Sequence, residues 1–166
     1  MNDSFILRDR KWRETNERVT LSSYAMLSEE SKGRFKKEDQ DPFRTVFERD
    51  RDRIIHSKTF RRLKHKTQVF INPDGDHFIT RMTHTLNVTQ IGRSIAKTLG
   101  LNPDLTEAIC LGHDVGHSPF GHTGEEVLND MLDGGWSHSE NSVKMLSIIE
   151  PLNLSLIHIS EPTRRP

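Results

Sequence analysis

The sequence predicts an all-α fold with little strand, and three observations lead to that class. Apolar residues recur at helical spacing in several segments, which proline, glycine and polar cap signals separate. Only one run, "TQVFI" followed by the turn "NPDGD", has the composition of a strand, which allows at most a short β-hairpin near residues 68–80. The chain shows neither a βαβ alternation nor an internal repeat, and its 166 residues suffice for one domain with a core.

The first helical segments follow from charge and spacing. Residues 1–42 are charge-dense and predict an arm made of a helix and a loop. The arm ends where Asp41 precedes Pro42, because a residue before proline avoids the helical region. The next segment, 43–66, predicts helix from apolar side chains at roughly helical spacing, namely Phe43, Phe47, Ile54, Ile55, Phe60 and Leu63.

The most regular helix signal is "FITRMTHTLNVTQIGRSIAKTLG". Its apolar stripe consists of Leu86, Ile91, Ile95 and Leu99. Gly100 suits the C-terminal cap of this helix. Asn102 as a cap and Pro103 in the first turn predict the start of another helix. "TGEEVLNDML" and "HSENSVKMLSII" predict two more, so that residues 43–153 form a helical domain behind the arm.

Composition limits the location and the partners of the protein. Lys+Arg and Asp+Glu both total 24, so the net charge indicates neither a nucleic acid nor a membrane surface. Cys110 is the only cysteine, which excludes an internal disulfide and favours a reducing compartment. No apolar run reaches membrane-spanning length, and the N-terminus lacks a secretory signal pattern. These features predict a cytoplasmic protein with no membrane partner.

A local charge bias lies between Arg44 and Lys66, where nine Lys/Arg residues stand against three acids. One interpretation is a solvated helix face with salt bridges. The other is a surface for an anionic ligand such as phosphate or nucleic acid. The phenylalanines here fall at core-like spacing, which disfavours single-stranded nucleic-acid binding as the main function because such binding usually adds stacking aromatics.

The last residues form a separate segment. "LSLIHISEPTR", from Leu154 to Arg164, follows a helix that Pro151 already ends. It resembles the translation of a transposon-end sequencing adapter. We therefore expect the native sequence to end near Asn153 and residues 154–166 to be a non-native tail. The fold is then incomplete at its C-terminus, and this chain is an N-terminal fragment that is inactive by itself.

The segment "GHDVGHSPFGH", residues 112–122, concentrates the side chains that carry chemistry. His113 and Asp114 lie at a fraying helix end flanked by glycines, where both can converge on one ion although adjacent helical residues normally diverge. An imidazole beside a carboxylate suits Mn, Fe, Co, Ni or Zn and tolerates Mg less readily. His84, in the first turns of the preceding long helix, is the expected third ligand.

Two further histidines follow this pair. An H-E-x-x-H zinc site built from His113 and His117 is disfavoured, because the second position is aspartate and a glycine and a proline break the required helix. His122 precedes "TGEE", which puts Glu125 three residues on and within reach on a helical turn. A carboxylate behind an imidazole fixes its tautomer and raises its basicity, so His122 and Glu125 are an expected proton-transfer pair.

Together these motifs resemble a known family. "THTLNV", "GHDVGHSPFGHTGEE" and "FRRLKHKTQVF" resemble the HD-domain superfamily, and most closely its deoxyguanosinetriphosphate triphosphohydrolase-like members. A bare His-Asp pair carries little information, whereas the extended string is specific. The resemblance implies an HD-domain helical bundle that cleaves a deoxynucleoside triphosphate into deoxynucleoside and inorganic triphosphate. The expected cofactor is a divalent metal cation, with Mn, Mg, Fe and Co as the candidates.

The resemblance also implies roles for individual residues. The implied metal ligands are His84, His113 and Asp114. A fourth, an aspartate far downstream, has no counterpart in this chain. Gln68 is expected to contact the deoxyribose, and Arg81 a phosphate oxygen. The histidines implied to line the phosphate site are His117, His122 and His138. The catalytic group is expected to comprise His122, Glu125 and His117.

Two other functions stay open at this point. HD sites also serve phosphodiesterases and hydrolases of other nucleotides, from which Gln68 and Arg81 would distinguish a triphosphohydrolase. From a different class, the basic stretch could make the chain a nucleic-acid-binding module with a vestigial site. For the enzyme, single-stranded DNA is expected as a regulator, and the full-length protein is expected to form a homo-oligomer.

Overall fold

A computed structural model describes residues 7–66 and 79–155. Within these ranges the regular elements are helices, and no strand occurs, which confirms the all-α prediction. The helices are α1 (Arg10–Thr20), α2 (Val46–His56), α3 (Lys58–Arg62), α4 (Arg81–Thr98), α5 (Pro103–Gly112), α6 (Gly121–Met131) and α7 (His138–Lys144). Short 3-10 turns span Ser28–Glu30 and Leu63–His65, and a π-helical turn spans Met145–Ile149. The run "TQVFI" and nearly all of the predicted hairpin lie outside the described residues.

The segment 43–66 forms two helices where the periodicity predicted one. Thr45 begins α2 with a capping box, in which its backbone N–H donates to Glu48 Oε2 at 2.8 Å. Ser57 then interrupts the helix: its Oγ donates to the carbonyl of Ile54 at 2.7 Å and accepts from the N–H of Phe60 at 3.0 Å. A serine side chain that replaces helical backbone bonds in this way ends one helix and caps the next.

The predicted connection between α4 and α5 is confirmed. Gly100 adopts φ +68°, the left-handed conformation that glycine tolerates after a helix end. The side chain of Asn102 accepts from the N–H groups of Asp104 and Leu105, both at 3.1 Å, and Pro103 occupies the first turn. This tight connection turns the chain back, so that α5 packs along α4.

The core lies where α2, α5 and the chain around α3 and α7 meet. Its buried members are Phe47, Ile54, Phe60, Leu63, Leu105, Ala108, Leu111, Val115, Leu146 and Leu154. Two of the apolar residues predicted on 43–66 lie outside it, since Phe43 is 55% exposed and Ile55 38% exposed. Burying a leucine-sized side chain contributes roughly 1.5–3 kcal/mol, so this set is the main stabilising term of the domain.

Helix α4 packs through its small side chains and not through its apolar stripe. Leu86, Ile91, Ile95 and Leu99 are all at least half exposed. The buried positions are instead Arg81, Thr85, Thr89 and Ala96, which follow helical spacing. Gly92 completes this face and approaches α5 so closely that a Cβ there would lie 2.9 Å from Cys110 Sγ. Small residues on this face let α4 and α5 pack closely. The close contact decides which face of α4 is buried, although the opposite face has the larger apolar side chains.

The N-terminal arm is joined to the helical body by ion pairs. Arg13 contacts Glu48 at 2.8 Å, and the buried side chain of Arg34 contacts Asp50 at 2.7 Å. Leu154 and Ser155 are also buried, and Ser155 donates from its N–H and its Oγ to Asp50 Oδ2 at 2.8 and 2.6 Å. The domain boundaries at residues 42 and 153, and the foreign origin of residues 154–166, stay predictions. Over the described part of the chain, no helix combines the length and apolarity needed to cross a membrane.

Candidate metal centre and active site

The chain leaves α5 through a turn that α7 holds in place. His113 is the C-cap of α5, and residues 113–116 form the turn. The Oγ of Ser142 donates to the carbonyl of His113 at 2.8 Å and accepts from the N–H of Gly116 at 2.9 Å. Asn141 Nδ2 donates to the carbonyl of Gly116 at 2.6 Å. Two side chains of α7 therefore fix the backbone that carries the His-Asp pair.

Sequence reasoning missed Asn141 and Ser142. Both are polar residues on a predicted helix, and nothing in their local sequence distinguishes them from solvent-facing side chains. Ser142 is buried, and its partner Gly116 is 26 positions away in the chain. A glycine inside the histidine segment was the one available signal, since glycine often marks a close approach of two backbones.

The structure brings His84, His113 and Asp114 together. One ligand atom from each lies within 4.8 Å of the others, as the sequence predicted for a metal group. His84 stands in the first turn of α4, and its ring centroid is 5.9 Å from that of His113. The Nδ1 of His113 lies 2.6 Å from the carbonyl of Cys110, so Nδ1 carries the proton and Nε2 presents its lone pair. A backbone carbonyl behind a histidine is the usual support of a metal ligand.

A buried ion pair supports this group from one side. Arg81 Nη1 contacts Asp114 Oδ2 at 3.0 Å, and both side chains are about 95% buried, with 5% and 4% exposed. Arg81 Nε has no hydrogen-bond partner among the described residues. Lys66 lies close by and donates to the carbonyl of His117 at 2.7 Å. Burial, and next the charge of Arg81, lower the pKa of Lys66. The site thus presents positive charge beside the acidic ligand.

A second group forms around Glu125 on α6. Its Oε1 lies 2.9 Å from His138 Nδ1 and accepts from the His138 N–H at 2.9 Å. Its Oε2 lies 3.3 Å from His122 Nδ1, as expected for the predicted pair. Desolvation opposes ionisation of Glu125, but the bonds from His138 and His122 prevail and lower its pKa to about 2. Glu125 is therefore a carboxylate at neutral pH and orients two imidazoles.

His117 is the buried member of this second group. It is 3% exposed, its ring stacks on that of His138 at 4.8 Å between centroids, and it meets the ring of His122 at 5.4 Å. Its Nδ1 lies 3.3 Å from the carbonyl of Ser118. Its Nε2 is buried and has no partner in the described ranges. Burial, and next the charge of Arg81, lower the pKa of His117, so its ring is neutral at neutral pH.

The loop between these histidines adopts unusual backbone conformations. Phe120 has φ +64°, which is rare for a bulky residue, and Gly121 follows with φ +62°. Position 124 has room only for glycine, because a Cβ there would lie 2.0 Å from the carbonyl oxygen of Pro119. Strain of this kind concentrates at functional sites. The loop turns the chain so that α6 begins at Gly121 and brings Glu125 within hydrogen-bond distance of His138.

The arginines in the first part of the basic stretch are paired with acids of the same chain. Arg44 pairs with Asp41 and Asp52, at 2.7 and 2.9 Å. Arg49 and Arg53 both contact Glu38. For residues 44–53, these pairs favour the solvated, salt-bridged face over an anion-binding surface. The sequence predicts nine site residues. Gln68 lies outside the described residues. The other eight are Arg81 and the seven members of the two groups, namely His84, His113, Asp114, His117, His122, Glu125 and His138.

Comparisons with known proteins agree with this arrangement. The HD domain family matches residues 81–161. A protein of Caldanaerobacter subterraneus subsp. tengcongensis is 64% identical over 130 residues, which cover 78% of this chain and 38% of that protein. A Clostridium tetani protein is 59% identical over 141 residues, covering 85% and 40% of the two chains. A Geobacter sulfurreducens protein is 49% identical over 165 residues, covering 90% and 43%.

These three relatives share one name, deoxyguanosinetriphosphate triphosphohydrolase-like protein. The chain spans about two-fifths of the length of the curated relatives it matches. The HD domain match includes the region that carries both histidine groups, since it extends from residue 81 to residue 161.

Proposed function

This chain belongs to the HD-domain family, and we propose that it supplies the site of a metal-dependent hydrolase that converts deoxynucleoside triphosphates into deoxynucleoside and inorganic triphosphate. One observation carries the proposal. A three-residue metal group and a Glu125-linked histidine group meet on the segment from His113 to Glu125, where the backbone N–H of His117 donates to the carbonyl of Asp114 at 3.0 Å. The names of the relatives support the substrate class.

The first group fits a divalent cation. Two imidazoles and one carboxylate suit borderline first-row metals, and His113 already presents a bare Nε2 toward its neighbours. When bound, such an ion neutralises polyphosphate charge and polarises the phosphoryl group as a Lewis acid. We propose His84, His113 and Asp114 as its ligands. Arg81 keeps donors beyond its bond to Asp114, and we propose that these contact a phosphate oxygen.

The second group fits proton transfer. Hydrolysis at the α-phosphorus breaks the bond to the 5′ oxygen, which leaves with a proton, while the attacking water loses one. His122 is 80% exposed in its side chain and is held by Glu125, so it can meet a substrate and exchange a proton with it. His117 and His138 line the same space and are proposed to bind the polyphosphate, with Gln68 on the deoxyribose.

The reaction class is tested by its product. The protein expressed from its complete gene is incubated with a deoxynucleoside triphosphate and a divalent cation, and the products are separated by ion-exchange chromatography. We expect inorganic triphosphate and deoxynucleoside in equal amounts. Release of pyrophosphate or single phosphate would overturn the proposal and favour a hydrolase or phosphodiesterase of another class. Regulation by single-stranded DNA and homo-oligomerisation stay predictions about the full-length protein.

The acid–base role of His122 gives a second prediction. His122→Ala should lower kcat by about 10²–10⁴-fold, the usual contribution of a positioned general acid or base. Bound metal, measured by atomic absorption, should be unchanged, because His122 is not in the first group. Glu126→Gln is the matched control, since Glu126 is the exposed neighbour of Glu125 on α6. Turnover of His122→Ala near that of the control would show that the assignment is wrong.

A further inference from the structure

The second histidine group has the composition of a metal site in its own right, and we infer that His117, Glu125 and His138 bind a transition-metal dication such as Zn²⁺. One ligand atom from each lies within 4.8 Å of the others, and the same holds for the group of His84, His113 and Asp114. The inference is independent of which substrate the protein hydrolyses.

The donors are of the right kind. Two imidazoles and one glutamate form the His₂Glu set of open zinc sites, in which zinc bonds to nitrogen and oxygen are about 2.0–2.2 Å long. Ligand atoms around such an ion lie roughly 3.4 Å apart, so small side-chain rotations would close the group onto it. Glu125 supplies a carboxylate whose two oxygens lie 2.9 and 3.0 Å from His138 Nδ1, so the oxygen and nitrogen donors are already adjacent.

His117 is the observation that points to a ligand. The residue is only 3% exposed, and its Nδ1 is placed to donate to the carbonyl of Ser118. The lone pair on Nε2 therefore has no hydrogen-bond donor within the part of the chain that is described. A buried acceptor without a partner is costly, commonly by about 1–3 kcal/mol, and a metal ion would satisfy it.

The surroundings permit a cation here. Two positive charges lie nearby, and both are engaged: the guanidinium of Arg81 pairs with Asp114 at 3.0 Å, and the ammonium of Lys66 donates to the carbonyl of His117 at 2.7 Å. His122 lies beside the group, with its ring 5.4 Å from that of His117 and its Nδ1 3.3 Å from Glu125 Oε2. A cation in this site would take Glu125 away from His122 and occupy the phosphate-facing histidines. Zinc bound here is therefore an inhibitor of turnover.

The site is tested by counting metal. The purified protein is stripped with a chelator, titrated with Zn²⁺, passed through a desalting column and analysed by atomic absorption. We expect two equivalents per chain for the wild type. His84→Gln should remove one equivalent and Glu125→Gln the other, and the double variant should retain neither. Titration of each single variant with Co²⁺ should show the intense visible absorption of a tetrahedral site that retains its ligands.

Controls separate a lost ligand from a lost fold. Glu126→Gln should keep both equivalents, and the helical circular dichroism of every variant should match the wild type. His138→Gln replaces Glu125→Gln if loss of the bonds to α7 weakens folding. One equivalent in the wild type that disappears in His84→Gln, or two equivalents retained in Glu125→Gln, would overturn the inference. The count requires no turnover, so an error in the proposed reaction leaves it unaffected.

Discussion

Asp114→Ala is expected to lose the metal held with His84 and His113 and to be much less stable than the wild type, whereas His84→Ala should lose that metal with little loss of stability. Asp114 has two partners, the proposed cation and Arg81, while His84 makes its described contact only through the ring of His113. Removing one member of a buried ion pair leaves the other charge unpaired, which typically costs about 3–5 kcal/mol. Arg81 is 4% exposed and cannot turn into solvent without moving α4.

The measurement is urea unfolding of both variants in the presence of a chelator, so that metal binding does not contribute to the comparison. Atomic absorption of untreated samples reports the metal. The double variant Arg81→Met/Asp114→Ala should recover part of the lost stability, because it removes the unpaired charge as well. Equal losses in the free energy of unfolding for His84→Ala and Asp114→Ala would show that the Arg81–Asp114 ion pair does not account for the instability of Asp114→Ala.

Local signals in the sequence predicted the helix ends and the metal group. Asn102, Pro103 and Gly100 determine the α4–α5 connection through their own backbone preferences. The convergence of His113 and Asp114 follows from a helix end, which glycine signals locally. His84 could be added because it lies on the helix that precedes α5 in the chain. The helix ends and the pairing of His113 with Asp114 needed only neighbouring residues and helix geometry, whereas His84 came from the preceding helix and from the family resemblance.

Packing choices could not be predicted in the same way. On α4 the larger apolar area lies on the outward side, so hydrophobic periodicity alone assigns the wrong face to the α5 contact. The face formed by Thr85, Thr89, Gly92 and Ala96 is selected by how closely two helices can approach, which depends on α5 as much as on α4. Ser57 divides the 43–66 helix through a side-chain bond that competes with the backbone.

The second histidine group depended on tertiary contacts. The pair of His122 with Glu125 is local, three residues apart on one helix, and could be predicted. His138 reaches Glu125 only because α7 docks on the turn after α5. That docking relies on Gly116, whose partners Asn141 and Ser142 are more than twenty positions away. A single sequence does not show which residues so far apart in the chain come into contact, so the bond from His138 to Glu125 could be seen only in the structure.

Gly116→Ala should therefore damage both the fold and the second group. A Cβ at this position would lie 2.2 Å from the backbone nitrogen of Ser142 and 2.4 Å from the carbonyl carbon of Asn141. Both are backbone atoms of α7, so no rotamer change relieves the clash and the helix must move. Overpacking of this kind typically costs about 1–3 kcal/mol and more when backbone shifts. A displacement of about 1 Å at a catalytic group can lower turnover about 10²-fold.

The matched control for this prediction is Gly112→Ala, four residues earlier at the end of α5. Its Cβ would lie 3.3 Å from Leu146 Cδ1 and 3.6 Å from Ile54 Cδ1, both of which are terminal methyl groups that can adjust. Alanine also favours helix over glycine by about 1 kcal/mol, which offsets the tighter contact. Urea unfolding and the Zn²⁺ count should separate the two variants: Gly112→Ala should resemble the wild type, while Gly116→Ala loses stability and the equivalent held by His138. If the two alanine variants unfold at the same urea concentration, the close approach of α7 to Gly116 does not hold the second group together.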